Sequence, residues 1–247
     1  MQNPRIKRGY WILLTMIYTQ VLEALRSLAN AEKAAFFPKF FKSFPGGYGE
    51  GDLFLGVTVP NQRNIANKFV HMVNPDELQD LIESPYHEVR LTALFILVNK
   101  YQKATDKTFW VEFYLKNLAY VNNWDLVDSS AHLILGEWLW DKDRTLLYQM
   151  AQTGNLWENR ISIISTHYFI RKKDFADTLA ISEILLRHPH DLIHKAVGWM
   201  LREVGNRDFE AEKAFLQKHH QSMPRTMLRY AIERFPIPEK EYFMKKE

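Results

Sequence analysis

The segment around residue 124 carries the residue types that best combine for chemistry. It reads Asn-Asn-Trp-Asp-Leu-Val-Asp over 122–128, with Trp124 and Asp128 four residues apart. On a helix this spacing places an aromatic plane and a carboxylate on one face. A purely structural interpretation explains two of the residues, because Asp125 suits a helix N-terminus and Trp124 can belong to a core. It explains Asp128 less well, because a carboxylate inside a helix needs a polar partner or solvent.

A second polar and aromatic group lies at residues 198–203, which read Gly-Trp-Met-Leu-Arg-Glu. Trp199 is followed by Arg202 and Glu203, two charged residues in an otherwise apolar helix. They indicate either a buried ion pair or a polar face that lines a groove, and the sequence leaves both interpretations open. Arg160 is ambiguous in the same way. By themselves these residues predict a binding groove and no particular reaction.

Three further patterns fit ordinary structure better than chemistry. The glycine-rich stretch 46–51 lacks the preceding strand and the Gly-Lys-Ser/Thr ending of a phosphate loop, which favours a flexible loop between helices. Pro189 interrupts the histidines of 188–194, and no His-Glu-x-x-His motif accompanies them, so helix-end and surface histidines are favoured. Ser129 and Ser130 lack the flanking glycines of a hydrolase elbow. We therefore predict no metal and no cofactor.

Composition narrows the class of protein. With 247 residues and 47% hydrophobic content the chain can bury a large core, which excludes disorder as its main state. It contains no cysteine, so disulfides, thiolate metal sites and cysteine nucleophiles are excluded. The formal net charge of +3 is too weak by itself to indicate a nucleic-acid partner. Any basic surface must come from an uneven distribution of charge.

The first residues resemble a signal peptide in one respect, since Arg5, Lys7 and Arg8 precede the apolar run 11–18. A signal peptide is nevertheless disfavoured, because the run is short, no small-residue cleavage site follows, and apolar residues continue at helical spacing. A helix extension or a misassigned start, with Met16 as an alternative first residue, is the preferred interpretation. Since no run of about 18 apolar residues occurs elsewhere, we expect a cytoplasmic protein without a membrane span.

The elements that must position the candidate side chains are helices. Apolar residues recur at spacings of three and four along almost the whole chain. Glycine, proline and asparagine fall between the periodic segments, and no hairpin dipeptide between alternating strands appears. The predicted helices cover 18–28, 31–43, 60–72, 76–83, 86–102, 107–120, 124–139, 143–152, 157–171, 175–187, 190–204, 209–219 and 224–235.

A repeat of 35 residues relates the longer helices. Two helices per unit at this period are typical of a helical solenoid. The sequence therefore predicts an all-α fold, a right-handed solenoid of HEAT-like antiparallel helix pairs, in which one face of each pair lines a concave surface. The four positions that define the period are Arg90, Asp125, Arg160 and Lys195.

The repeat also relates the two tryptophan segments. Asp128 and Gly198 are equivalent in this register, and Trp199 lies one residue beyond Gly198. The two segments can therefore face the same groove. We expect a solenoid domain over 18–236, an N-terminal extension over 1–17 and a C-terminal tail over 237–247. On the concave surface we expect four residues to converge: Trp124, Asp128, Arg160 and Trp199.

In four segments the sequence resembles the AlkD family of DNA alkylation-repair glycosylases. The segments are FLGVTVPNQR near 54–63, NNWDLVD at 122–128, LWENRISI at 156–163 and KAVGWMLREVGNRD at 195–208. They occur in order and at compatible repeat spacing over roughly residues 18–236. The combination is specific, whereas a lone Trp-Asp-x-Val-Asp motif is weak.

The resemblance implies roles for four residues. Trp124 corresponds to the first groove tryptophan of the family and Asp128 to its catalytic carboxylate. Arg160 corresponds to the arginine beside that carboxylate, and Trp199 to the second tryptophan. The match is looser near the N-terminus, where Thr58 stands in place of a larger polar group of some members and the glycine-rich loop has no clear counterpart.

The activity implied by the resemblance is hydrolysis of the N-glycosidic bond of purines alkylated at N3 or N7. Such a purine is cationic and leaves without a strong general acid, so a carboxylate can stabilise the oxocarbenium-like sugar and direct water to C1′. Aromatic faces favour the cationic nucleotide by about 0.5–2 kcal/mol each. The resemblance also implies that the lesion stays stacked in the duplex, in contrast to the usual extrusion of the base.

The implied partner is double-stranded DNA containing alkylated purines, bound by a monomer mainly through phosphates. Two alternatives remain: a DNA-binding relative that has lost the chemistry, and a HEAT-repeat scaffold that binds proteins. A basic concave face favours DNA, whereas an acidic or apolar face favours the scaffold. Some of the basic candidates can equally be solvated helix faces. The candidate phosphate contacts are Arg63, Lys68, Arg90, Arg171, Lys172, Lys173, Arg202 and Arg207.

Overall fold

The described part of the chain is helical throughout. A computed structural model describes residues 16–245, and within this range no strand forms; an isolated bridge joins Leu53 to Tyr86. The predicted all-α fold is therefore confirmed, while the solenoid arrangement stays a prediction. The chain divides into two compact units, Met1–Ser129 and Ser130–Glu247. The predicted limits of the domain at residues 17 and 236 also stay predictions.

The first unit contains seven α-helices in its described part. Residues 16–26 form α1. The others are α2 Ala31–Phe40, α3 Val59–Phe69, α4 Pro75–Ile82, α5 His87–Lys103, α6 Thr108–Lys116 and α7 Trp124–Asp128, with a 3₁₀ turn at Leu118–Tyr120 before α7.

The described part of the second unit begins with a π-helix, His132–Gly136. The α-helices that follow are α8 Thr145–Ala151, α9 Leu156–Ser165, α10 His167–Arg171, α11 Ala176–Leu185, α12 Asp191–Gly205, α13 Phe209–His219, α14 Arg225–Ala231 and α15 Ile237–Met244, with a 3₁₀ turn at Ile232–Arg234 after α14.

The core of the first unit is built around α5. This helix is apolar on nearly all sides and packs against α3, α4, α6 and α7, which explains why it lacks a polar stripe. The neighbouring α4 starts sharply, because Pro75 occupies its first turn and Asn74 and Glu77 form a capping box. Both devices fix the start of a short helix that packs against α5.

The core of the second unit is built around α12. This helix packs against α9, α11, α13 and α14, and its contact with α14 is the most extensive of these. At Gly198 an added Cβ would lie 2.4 Å from the carbonyl oxygen of Met227 and 2.5 Å from the Cβ of Tyr230. Only glycine lets the two helices approach this closely, and the approach fixes α12 next to Trp199.

Two predicted helices are divided in the structure. The helix predicted over 124–139 is divided, since α7 ends at Asp128 and a turn at residues 129–130 precedes the π-helix. The helix predicted over 157–171 is divided at Thr166, whose hydroxyl donates to the carbonyl of Ile163 and competes with the helical pattern. Residues beyond 236, which we expect to form a C-terminal tail, contain α15, because prolines are tolerated in a first helical turn and Phe243 is buried.

Candidate functional site

The predicted pair Trp124 and Asp128 occupies the two ends of α7. Trp124 is the first residue of the helix and Asp128 the last, and both side chains are partly exposed. The five-residue helix keeps them one turn apart on the same face, as the spacing predicts. Asp128 is therefore a helix-end residue and does not lie inside a long helix.

The start of α7 is fixed by its N-cap residue. The side-chain oxygen of Asn123 accepts a hydrogen bond from the backbone N–H of Trp124 at 2.9 Å, and its amide nitrogen donates to the carbonyl of Phe41 at 3.3 Å. An added Cβ at Gly49 would lie 2.6 Å from that carbonyl and 2.9 Å from the Asn123 amide nitrogen. The glycine-rich loop thus packs directly on the cap of α7, a role that its composition did not indicate.

The indole of Trp124 is supported by a stack of aromatic rings. It lies parallel to Phe41 with ring centroids 5.6 Å apart, and Phe41 stacks in turn on Phe54 at 5.3 Å. Phe40 meets the indole edge-on at 5.7 Å. The face of Trp124 toward the protein is thereby fixed. Exposed aromatic side chains continue from it along the surface: Phe36, Phe40 and Phe44.

Beneath these rings lies a buried charged network centred on His87. Its Nδ1 contacts the carboxylate of Asp52 at 3.0 Å and its Nε2 contacts that of Asp125 at 2.8 Å. Burial alone lowers the pKa of His87, but the charge and hydrogen bond of Asp125 and the hydrogen bond of Asp52 raise it to about 9. His87 is therefore an imidazolium at neutral pH, and it donates to both carboxylates.

The same network places Arg90 in the interior. Its guanidinium donates to both carboxylate oxygens of Asp52 at 2.7 Å, to the carbonyl of Ser84 at 3.0 Å and to Asn122 at 3.2 Å. Burial raises the pKa of Asp52, and the hydrogen bond from His87 and the charge of Arg90 bring it below its ordinary value. Because Arg90 is 4% exposed and occupied by these partners, a phosphate contact at Arg90 does not fit, and we correct that prediction.

In the second unit, Arg160 connects two helices. It lies in α9, is 4% exposed, and donates from Nη1 to the carbonyl of Leu192 at 2.6 Å. Leu192 belongs to the first turn of α12, the helix that carries Trp199. Arg160 thus fixes the start of α12 against α9, a positional role that the sequence did not predict.

Trp199 lies in a half-buried polar cluster of the second unit. Glu203 lies one turn further along α12, on the same face of the helix. Arg207 donates to the Glu203 carboxylate at 2.8 Å, and the ring centroid of His167 lies 5.9 Å from that of Trp199. The cluster therefore combines an aromatic face with a carboxylate that is already paired.

The basic candidates differ in how free their side chains are. Five are exposed; of these, the Arg63 guanidinium lies 4.0 Å from the Phe95 ring centre. Two are half-buried and engaged by carboxylates, since Arg202 pairs with Glu233 and Arg207 with Glu203. Among the predicted phosphate contacts, the following are exposed and remain predictions: Arg63, Lys68, Arg171, Lys172 and Lys173.

The repeat position has a structural meaning in each unit. It falls in the first five residues of a helix each time. Asp125 and Arg160 join neighbouring helices through polar contacts, and Arg90 joins α5 to the loop at Asp52. The fourth, Lys195, forms a surface pair with Asp191 at 2.7 Å. The four positions are thus equivalent in place but not in chemistry.

Other sites are few within residues 16–245. No group of His, Asp and Glu in this range could hold a metal ion, and none of its helices has the length and apolar character to cross a membrane. His190 caps the start of α12 by accepting from the N–H of Leu192, in agreement with a helix-end histidine. A groove of about 530 Å³ between α4 and α6, lined among others by Asp76, Phe109 and Glu112, contains none of the predicted residues.

Sequence comparison places the chain among repair proteins. The model of a family described as DNA alkylation repair enzyme matches residues 21–235. The chain belongs to this family. Membership supports a role in the repair of alkylated DNA and agrees with the resemblance seen in its motifs.

Structural comparison agrees at the level of the fold. A predicted DNA alkylation repair enzyme from Enterococcus faecalis has 17% sequence identity and a TM-score of 0.68, over 85% of this chain and 97% of that chain. At this identity the similarity concerns the fold alone. No curated protein sequence matches the chain.

Proposed function

We propose that the protein is a DNA glycosylase that hydrolyses the N-glycosidic bond of purines alkylated at N3 or N7 in duplex DNA, with the lesion left stacked in the helix. The proposal rests on family membership and on one arrangement above all. A partly exposed tryptophan and a carboxylate share one face of α7, and buried contacts clamp the start of that helix.

The position of Asp128 supports a functional role. A carboxylate at the C-terminal end of a helix faces the negative end of the helix dipole, which disfavours acidic residues there. A positively charged sugar next to Asp128 would be stabilised, since a preorganised carboxylate stabilises such a charge as it develops.

The proposed reaction needs no metal or cofactor. The bond between C1′ and the purine nitrogen breaks, and its electron pair neutralises the charge that alkylation placed on the base. C1′ becomes oxocarbenium-like, and the Asp128 carboxylate stabilises it and orients a water molecule. Water adds to C1′ and its proton leaves to the carboxylate or to solvent. The products are the free alkylated base and an abasic site.

The remaining residues supply binding and selectivity in this proposal. The faces of Trp124 and Trp199 favour a cationic nucleotide over a neutral one, by about 0.5–2 kcal/mol each. Arg160 acts by holding the start of α12. Exposed basic side chains contact phosphates without reading the sequence. The protein would act on DNA as a monomer in the cytoplasm.

The decisive experiment is base release by Asp128→Asn. Asparagine keeps the shape of the side chain and removes the charge, so we expect release of N7- or N3-alkylpurines to be nearly abolished in single-turnover assays. DNA affinity should stay close to that of the wild-type protein or rise slightly, because a negative charge that repels phosphates is gone. Asp141→Asn, which changes an exposed aspartate of the surface pair with Lys142, should release base at the wild-type rate.

Two outcomes would change the proposal. If the wild-type protein releases no base from any alkylated duplex, a DNA-binding role without chemistry replaces the glycosylase. If Asp128→Asn releases base normally while its melting curve matches that of the wild-type protein, the role assigned to the carboxylate is wrong.

A further inference from the structure

Three rings of the second unit lie in successive contact. The ring centroid of Trp199 lies 5.9 Å from that of His167, with the two planes inclined by 49°. The centroid of His167 lies 5.2 Å from that of His132, with an inclination of 54°. Rings at such separations and in tilted arrangements stabilise one another. His167 is thus the middle member of this row and contacts both of the others.

Two departures from the regular α-helix place the rings. The helical chain is divided at Thr166, whose hydroxyl donates to the carbonyl of Ile163, and α10 begins at His167. The π-helix begins at His132, and short π segments are frequent at functional sites. Because α10 packs against both the π-helix and α12, the division brings His167 to the helix that carries Trp199.

The contact between the π-helix and α10 depends on Gly136. An added Cβ at this glycine would lie 2.3 Å from the carbonyl oxygen of Ser165 and 3.0 Å from the Cβ of Tyr168. A larger residue would therefore force the two segments apart. Since Ser165 and Tyr168 lie on either side of His167 in the sequence, this close approach fixes the backbone that carries the imidazole.

The imidazole of His167 meets Trp199 as an uncharged ring. Its side chain is 18% exposed, and its Nδ1 is buried without a hydrogen-bond partner among residues 16–245. Its Nε2 lies 3.9 Å from the Glu203 carboxylate, which is beyond hydrogen-bond distance. Burial lowers the pKa of His167 more than the charge of Glu203 raises it, and the charges of Arg207 and Arg171 lower it further. The ring therefore contributes packing surface at neutral pH.

We propose that His167 is a positioning residue for Trp199: its imidazole packs against the indole and fixes the plane of the ring that meets the alkylated nucleotide. The part of this proposal that concerns the nucleotide rests on the proposed glycosylase function. A cation is attracted by the face of an aromatic ring, so the orientation of the indole affects how strongly a cationic nucleotide is bound. His167 acts through Trp199 and does not itself touch the reacting atoms.

The alternative is that His167 only forms an ion pair with Glu203. An ion pair requires a charged imidazole, whereas the positioning role requires a ring of similar size. Phenylalanine keeps the ring and carries no charge, and alanine lacks both. The positioning role therefore predicts that His167→Phe keeps much of the function and that His167→Ala loses it. The ion-pair role predicts equal losses in the two variants.

The first test observes the indole directly and requires no activity. Protein with ¹⁵N-labelled tryptophan gives one Nε1–H signal per indole, and Trp199→Phe identifies the signal of Trp199. We expect His167→Ala to shift that signal and to speed the exchange of its proton with solvent, while His167→Phe keeps the slow exchange. His71→Ala, which alters an exposed histidine of the first unit, serves as the matched control and should change neither quantity.

The second test is a double-mutant cycle on base release. Loss of the contact between two aromatic rings slows a step that depends on it by about two- to tenfold, and we expect that reduction for His167→Ala under single-turnover conditions. His167→Phe should restore most of the rate. In the Trp199→Ala background, His167→Ala should have no further effect, because the ring that it positions is gone.

The outcomes separate the two proposals. If the shift and the exchange rate of the Trp199 signal are unchanged in His167→Ala, the positioning role is wrong, whatever the activity. An additional loss of rate from His167→Ala in the Trp199→Ala background also overturns it, because His167 would then act through another group. If His167→Ala does not fold, His167→Leu fills the same space without an aromatic ring and gives the same comparison. If the wild-type protein releases no base, the glycosylase proposal fails, and the indole signal still decides whether His167 positions Trp199.

Discussion

Trp124 and Trp199 are the same residue type in comparable half-exposed settings, yet the protein supports them by opposite means. Trp124 stacks on Phe41. Its helix, α7, is held in place by the contacts of Asn123 and by the buried network of His87. The network is almost fully buried and charged. Trp199 contacts the ring of His167 and lies one turn from a half-buried ion pair between Glu203 and Arg207.

The two kinds of support should respond differently to mutation. Removing one member of a buried charged network leaves the remaining charges without a partner in a region that water does not reach, which is costly. Removing one member of a half-buried pair costs little, because solvent replaces the missing contact. We therefore infer that changes beneath Trp124 act on folding, whereas changes around Trp199 act on function while the fold persists.

The largest effect should come from His87→Leu. This change leaves the carboxylates of Asp52 and Asp125 buried without the cation between them, so we expect the free energy of unfolding to fall by about 3–5 kcal/mol. Glu203→Leu should lower it by a smaller amount, because solvent reaches the pair of Glu203 with Arg207. Denaturant unfolding of both variants under identical conditions measures the two values. Similar losses in the two variants would remove the contrast between the regions.

A pH titration of stability sharpens the same comparison. The pKa of His87 is about 9 in the folded protein and near 6.5 when unfolded, so its contribution is fully present below pH 6.5 and is lost as pH rises through 9. The pKa of Glu203 is lowered by folding, so its contribution is present above its ordinary pKa of 4.5 and is lost as pH falls through the lowered value. The two regions weaken at opposite ends of the pH range.

The measurement must isolate His87 from another alkaline effect. Burial also raises the pKa of Glu212 to about 9, so the unfolding free energy of any variant that keeps Glu212 declines as pH rises from about 4.5. The useful quantity is the difference between the wild-type protein and His87→Gln, in which this effect cancels. We expect that difference to shrink between pH 6.5 and 9. A constant difference across this range would show that the charge of His87 does not stabilise the network.

The sequence predicts the site best where its residues are close along the chain. Trp124 and Asp128 lie within one turn, so spacing alone places them on one face. The network beneath them was missed, because Asp52 and Asp125 lie 35 and 38 residues from His87 and no local pattern marks such contacts. In the glycine-rich loop, Gly49 was a weak signal for the packing on α7, because a residue without a side chain lets the loop backbone approach Asn123 closely.

The fold shows a similar limit. Apolar periodicity predicts most helices because burial of one face leaves a local trace. It does not predict the division at Thr166, where the threonine hydroxyl competes for a helical carbonyl, or the turn after Asp128. The sequence analysis also named Arg90 among the candidate phosphate contacts because of its charge. Long-range pairing with Asp52 places that charge in the core, which composition cannot indicate.

The smallest effect should come from single exposed cations. If Arg171 contacts a phosphate, Arg171→Gln removes about one released counterion, so the slope of log affinity against log salt should become shallower by about 0.9. Arg90→Gln should leave that slope unchanged and lower the free energy of unfolding, since Arg90 neutralises Asp52 in the core. Arg187→Gln, which alters an exposed arginine outside the candidate set, controls for the overall change in net charge. Duplex binding across a salt series measures all three slopes.

An equal change for Arg171→Gln and Arg187→Gln would mean that DNA senses only net charge. A change for Arg90→Gln at intact stability would mean that the buried network reaches the DNA after all.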